Sequence, residues 1–377
     1  MTDVPSIDTL IISIGFIIFA CLVAFAWAPL LTNFLYKFRI TVGRRAAYDS
    51  TAHMTSRDGK ANTPTMGGIL VIVTIALITY LFNWDQSFTW LPIGIMLLSS
   101  ALGALDDLLN IFGSRRRSRK VNQTLRLIRV HKNYGMRLWL IITLPWTFFK
   151  RLTAWLGSHP GKGVHVHEKL FLQFIAGGIS AWWIFYKLGE NWRVIDLPFD
   201  GMLDIGWWLV PLIVLVVAFT ANAVNIADGM DGLAGGMLIP TFTALMFLSW
   251  VNGFPEMAIL NAVAVGALIT YTYFNIMPAR FQMGDVGSLG LGALLAINAL
   301  IINAMIVLPL LAFVFYIEAF SVLIQVASKK LTGRRVFKMA PIHHHLEIIG
   351  WNEEKIVMRL WIIHLFFVLV GVWVALH

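Results

Sequence analysis

Long apolar runs separated by short polar stretches set the character of this chain. A helix needs about 20 apolar residues to cross the hydrocarbon of a bilayer. Runs near that length fall at 9–36, 66–83, 91–110, 169–187, 207–224, 237–252, 257–275, 288–304, 306–327 and 356–376. The pattern predicts an all-α, polytopic integral membrane protein with about ten transmembrane helices. The eighth and ninth runs form one apolar stretch, and the split is placed at 304–309. The first run is too long for the apolar core of a signal peptide and has no basic leader, so it is expected to remain as a span.

Charge orients these spans. Only 13% of the 377 residues are charged, against about 25% in soluble domains. Cytoplasmic loops of membrane proteins concentrate Lys and Arg. With loop 37–65 placed in the cytoplasm, 27 of the 29 Lys and Arg fall on that side, leaving Lys187 and Arg193 opposite. Both termini are then extracytoplasmic. The net charge of +9 is explained by topology and anionic headgroups rather than by nucleic acid. The one cysteine, Cys21, lies in the first span and excludes an intramolecular disulfide.

The chain reads as a single membrane-embedded domain, 1–377, with a long basic cytoplasmic insertion at about 111–168. Within it, 138–149 is apolar but too short to span and contains Pro145. It is expected to lie at the interface, with Arg126, Arg129, Lys132, Arg137, Lys150 and Arg151 toward headgroups.

Five carboxylates stand at the ends of spans, all on one membrane side: Asp106, Asp107, Asp228, Asp231 and Asp285. Acids beside hydrocarbon are costly and mark functional sites. Asp106 and Asp107 close the third span at a helix C-terminus, where negative charge is unfavourable and calls for a cation. Asn225, Asp228 and Asp231, spaced by three, project from one face if the helix continues through them. Asp285 follows Met283-Gly284 and is the best single metal-ligand candidate, with Arg280 near it for an anion. A hard cation such as Mg²⁺ takes one or two carboxylates plus phosphate oxygens and water. Before the second span, Lys60 to Gly68 joins a cation to a glycine pair that lets backbone approach a ligand. Pro341 to Glu347 carries His343, His344 and His345; three contiguous histidines without a cysteine suit phosphate or hydroxyl contacts better than zinc. Glu318 within the ninth run is either a partnered structural acid or a ligand contact.

Together these motifs resemble the polyprenyl-phosphate N-acetylhexosamine-1-phosphate transferase superfamily, in matching order over nearly the whole chain. The triple histidine, the Thr63-Pro-Thr-Met-Gly-Gly68 run and Gly350 to Arg359 favour the branch that transfers phospho-N-acetylmuramoyl-pentapeptide. The resemblance implies ten spans, an active site facing the cytoplasm of the bacterial inner membrane, a homodimer among membrane lipids, and a requirement for Mg²⁺. It implies movement of phospho-MurNAc-pentapeptide from UDP-MurNAc-pentapeptide to undecaprenyl phosphate, giving lipid I and UMP.

By position, the resemblance makes Asp285 the magnesium ligand and gives the lipid phosphate to Asp106 and Asp107. It sets Asn225 and Asp228 near diphosphate and ribose, and Lys60, Thr65, Asp231 and Asn275 around the nucleoside. Gln325 and the three histidines line the substrate cleft. A single displacement is expected, with a phospho-aspartate intermediate as the rival.

The chain departs from the family pattern at three places. Asn110 stands where a lysine usually follows the acid pair. Gln282 replaces the aromatic before Met-Gly-Asp, with Phe281 one position earlier. The 111–168 segment is tens of residues longer than usual. The alternatives are a relative transferring GlcNAc-1-phosphate and, outside enzymes, an ion-coupled transporter, which would place its acids near the midplane.

Overall fold

The computed structural model describes residues 6–41, 63–112, 121–130, 133–145, 147, 164, 166–189, 192, 194–199 and 201–377. Among the described residues, ten helices of 14 residues or more carry the architecture, and each of the ten apolar runs overlaps one of them. They are α1 (Ile7–Lys37), α2 (Ile69–Phe82), α3 (Trp90–Phe112), α6 (Val166–Tyr186), α7 (Leu209–Ala227), α8 (Leu233–Val251), α9 (Pro255–Asn275), α10 (Gly284–Ile301), α12 (Phe313–Leu331) and α14 (Glu353–Ala375). Shorter helices are α4 (Val121–Val130), α5 (Tyr134–Ile142), α11 (Leu308–Leu311) and α13 (Ile342–Ile348). Among the described residues, seven helical segments are long and apolar enough to cross a membrane: α1, α3, α8, α9, α10, α14, and α7 with its preceding turn.

The centre of the bundle is α10, whose residues from Val286 to Ile301 are all buried. A helix apolar all round must be enclosed on every side. Its neighbours approach closely because small residues line the contacts. A Cβ on Gly287 would meet the Cα of Gly68 at 2.7 Å, and one on Gly103 of α3 would overlap the Asp285 carbonyl. The helices α3 and α7 pack on α10, α6 packs on α7, and α1 and α8 pack on α9. The outer helices keep large apolar residues exposed, among them Ile11 and Leu22 of α1 and Phe366 of α14, as lipid-facing surfaces do.

The continuous stretch 288–327 does break at 302–307, as the split anticipates. Asn303 adopts φ 56° there, and Trp192 Nε1 donates to the Ile301 carbonyl. The eighth span begins four residues earlier than expected, at Gly284. The all-α expectation needs one addition. Strands β1 (Val194–Leu197) and β2 (Gly201–Asp204) pair antiparallel between α6 and α7. The alternating Val-Ile-Asp-Leu run, followed by Pro198 and a glycine with positive φ, is a hairpin signal hidden among apolar spans. This hairpin lies at the end of α7 opposite Asp228.

The expectation that Asn225, Asp228 and Asp231 share a helical face is corrected. The helix α7 stops at Ala227, and Asp228 is its C-cap with ψ 48°. Gly232, at φ 81°, turns the chain into α8. The three side chains therefore diverge.

Candidate active site

The site forms where the C-terminal ends of α3 and α7 meet the N-terminal ends of α6 and α10. Lys169, in the first turn of α6, lies at its middle. Its Nζ is 2.5 Å from Asp285 Oδ2 and also pairs with Asp106 Oδ2. Asn225 donates from Nδ2 to Asp285 Oδ1 and to Ser288 Oγ, each at 2.8 Å. Both oxygens of Asp285 are thus engaged, one by a cation and one by an amide. Asp106 is further held by the backbone N–H of Val164, which reaches its Oδ1.

The adjacent acids divide the work, as neighbours on a helix must. Asp106 faces Lys169 and Asp285. Asp107 turns to α10, where its Oδ2 accepts the Val286 N–H at 3.1 Å. Its charge therefore sits at a helix N-terminus, which favours an anion. Gly284, at φ 71°, makes this approach possible: a Cβ there would lie 2.7 Å from both Asp107 Oδ2 and Thr65 Oγ1. Asp228 accepts a hydrogen bond from the Gly284 backbone, and burial, with Asp285, Asp107 and Asp231 nearby, raises its carboxyl well above the usual range.

Two loops are laced together beside this cluster. Gln282 N–H donates to the Pro64 carbonyl, Gly67 N–H to Gln282 O and Gly68 N–H to Met283 O. Asn275 joins this lacing to the turn after α7. Its Oδ1 accepts from Gly232 N–H and its Nδ2 donates to Phe281 O, both at 2.9 Å. Asp231 Oδ2 accepts from Ala279 N–H, and the Asp231 backbone donates to Glu353 of α14. Thr65 is buried beside Gly284. Lys60 lies outside the described residues.

The histidine loop separates into three roles. His343 is fully buried, with Nδ1 3.1 Å from Glu318 Oε2, and its ring lies against Gly229, next to Asp228. Glu318 is equally buried, so it partners His343 within the protein. His344 pairs with Glu347, and His345 Nδ1 accepts the Lys338 N–H. Gln325 spends its amide on the backbone of Val336 and Phe337, tying down the loop after α12. Phe281, one residue before Gln282, is also fully buried, packed on Tyr271 and Phe274 beneath Gly67. It does not replace an exposed aromatic at position 282.

Lys169 is the functional residue that sequence reasoning missed. In the chain it closes a basic loop as the last of many cations. The need for a cation beside Asp106 and Asp107 is legible in the sequence. The structure supplies it from the start of α6, 59 residues beyond Asn110.

Among the described residues, no three His, Cys, Asp or Glu side chains form a ready-made metal site. The donor set nonetheless fits a hard cation: two carboxylates, Asp106 and Asp285, converge on one positive group, the Lys169 ammonium. Such an ion takes few protein oxygens and completes its shell with phosphate and water.

Comparison with known proteins gives the family. A family model described as glycosyl transferase family 4 matches residues 160–303, and a phospho-N-acetylmuramoyl-pentapeptide-transferase signature matches 60–72. The helices and these matches define a multi-pass membrane transferase. The phospho-N-acetylmuramoyl-pentapeptide-transferase of Chloroflexus aggregans is 35% identical over 327 residues, covering 84% of this chain and 78% of its own. That of Levilactobacillus brevis is 35% identical over 328 residues, covering 85% and 87%. That of Oceanobacillus iheyensis is 32% identical over 326 residues, covering 85% and 86%. The chain belongs to the phospho-N-acetylmuramoyl-pentapeptide-transferase family.

Proposed function

We propose that this chain transfers phospho-MurNAc-pentapeptide from UDP-MurNAc-pentapeptide to undecaprenyl phosphate, giving lipid I and UMP for peptidoglycan synthesis. The observation that carries the reading is the Asp106–Lys169–Asp285 cluster at the converging ends of three helices, in a chain of this family. The reaction brings a lipid phosphate against a diphosphate. Two anions must meet, so alignment and charge neutralisation are the main tasks.

Asp285 and Asp106 would hold Mg²⁺ together with substrate oxygens. When bound, Mg²⁺ supplies charge neutralisation at the diphosphate and stabilises departing UMP. The protein's own groups do the rest. Lys169 places a positive charge where the two phosphates converge. Asn225 orients Asp285, and Asp107 fixes α10 relative to α3. Asp106 orients the lipid phosphate, which is largely ionised near neutral pH, so a single displacement is preferred over a phospho-aspartate. The lacing of 64–68 onto 281–283 holds the nucleoside region, with Asn275 and Asp231 as its ties. The buried His343–Glu318 pair supports the loop carrying Asp228.

In this reading α2, α6 and α12 complete ten spans with the seven clear ones. Both termini are extracytoplasmic, and the site faces the cytoplasm of the bacterial inner membrane. The family resemblance adds a homodimer as the working unit. The test is UMP release by the purified protein with undecaprenyl phosphate and Mg²⁺, supplying UDP-MurNAc-pentapeptide or UDP-GlcNAc separately. Release with UDP-GlcNAc alone would assign the chain to a sugar-transferring reaction. Formation of a covalent phospho-sugar enzyme without lipid acceptor would defeat the single displacement.

A further inference from the structure

The segment between α3 and α6 lends the site above only the Val164 N–H that reaches Asp106, yet its composition is extreme. From residue 108 to 167 there are twelve Lys and Arg and not one Asp or Glu. A solvated loop normally mixes both signs. Here positive charge is interleaved with Leu, Ile and Trp.

The described helices of the segment, α4 and α5, pack on each other. Arg126 and Arg129 of α4 are exposed, and Leu125 and Leu127 beside them are exposed as well. In α5 the apolar surface is still larger. Tyr134 is 82% exposed, Leu138 61% and Ile142 68%, with Met136, Trp139 and Ile141 also open, while Leu140 is buried at 2%. Arg137 is the one charged residue in this helix. A helix apolar on nearly every side is not stable facing water. Its nine residues extend about 14 Å, well short of a bilayer's hydrocarbon of about 30 Å. A short, apolar, cationic helix that cannot span belongs in the headgroup layer.

Position argues the same way. The segment leaves α3 at Phe112 and returns at Val166, so both attachments lie at the membrane face that carries Asp106 and Lys169. Charge complementarity names the occupant: positive and apolar groups together match the anionic headgroups and upper acyl chains of a bilayer.

We propose that α4 and α5 form an arm that lies on the bilayer beside the active site and binds anionic phospholipid, through Arg126, Arg129 and Arg137 and the apolar face around Leu138. The proposal rests on the chain spanning a membrane and not on the identity of its substrate. Val164 and Lys169, which follow the arm in the chain, both hold Asp106.

The test uses full-length protein with Cys21→Ser and Leu138→Cys, labelled at position 138 with an environment-sensitive fluorophore and reconstituted in nanodiscs. One set holds phosphatidylcholine only and the other includes about 30% phosphatidylglycerol, each with a shallow spin-labelled lipid as quencher. Quenching about threefold stronger in the anionic discs is expected, with most of it lost in the triple Arg126→Gln, Arg129→Gln, Arg137→Gln variant. Equal quenching in both discs would overturn the anionic selectivity. Absent quenching would overturn the arm altogether, whether emission is water-like or blue-shifted by a protein partner. Emission that responds to added RNA and not to lipid would also refute it. UMP release on the same samples reports the proposed function separately, so failure of one does not imply failure of the other.

Discussion

Replacing Lys169 with Met removes the cation that, among the described residues, lies between Asp106 and Asp285, while keeping a long side chain. The Lys169 side chain is 18% exposed and that of Asp106 4%, so solvent screens this pairing weakly. At an effective dielectric of about 20, each charge pair near 4 Å is worth about 4 kcal/mol. Desolvation offsets much of that, and truncating one member of a buried pair costs about 3–5 kcal/mol in net terms. If the same charge is used in the transition state, kcat/KM falls by about 10²- to 10⁴-fold. The assay is UMP release at saturating Mg²⁺. Thermal unfolding in chelator and in Mg²⁺ separates the two roles of the lysine. Without divalent cation the variant should be clearly less stable; with Mg²⁺ much of the loss should be restored, because the ion replaces the missing charge. Asp106→Asn in the Lys169→Met background should recover stability, giving a coupling energy of about 1–3 kcal/mol. Strictly additive effects, or undiminished turnover by Lys169→Met, would refute the central placement of this residue.

Other substitutions probe separate parts of the site. Asp285→Asn should abolish UMP release and weaken the dependence on Mg²⁺; activity retained at saturating ion would remove Asp285 from its proposed role. Gln282→Phe restores the aromatic that the family pattern has before Met-Gly-Asp, and should lower KM for the UDP substrate several-fold with little change in kcat. Unchanged KM would show that position 282 does not contact the UDP substrate. Phe281→Ala should instead destabilise the fold by about 3–5 kcal/mol, since its ring is fully buried; a change confined to nucleotide affinity would contradict that packing. Asp228 is raised in the folded protein by burial and neighbouring acids. Its unfolded pKa is then the lower one, so ionisation costs stability as pH rises through the folded value. In chelator, Asp228→Asn should therefore be more stable than the parent at neutral pH, with the advantage fading as acid protonates Asp228. An advantage that grows in acid would reverse the sign of this argument.

Several of these predictions rest on contacts that a linear reading reached only in part. The adjacent acids Asp106 and Asp107 signalled a missing cation, because negative charge at a helix C-terminus is unfavourable. Which cation answers was hidden, since Lys169 belongs to another helix and enters through packing of α6 beside α3. The spacing of Asn225, Asp228 and Asp231 suggested a shared face, but the end of α7 at Ala227 separates them. The family resemblance sets Gln325 and His343 in the substrate cleft. Their actual partners, the 336–337 backbone and Glu318, depend on how α12 and α13 meet.

Sequence by itself determined the membrane character, the position of every long helix and the gathering of acids at one end of the bundle. Hydrophobic run length and charge bias are local properties, and a bilayer reads them directly. Tertiary structure alone decided which carboxylate meets Lys169, which one caps α10, and that Phe281 lies beneath Gly67. Those outcomes depend on distances between helices far apart in the chain, set by close contacts such as Gly103 on Asp285 and Gly68 on Gly287.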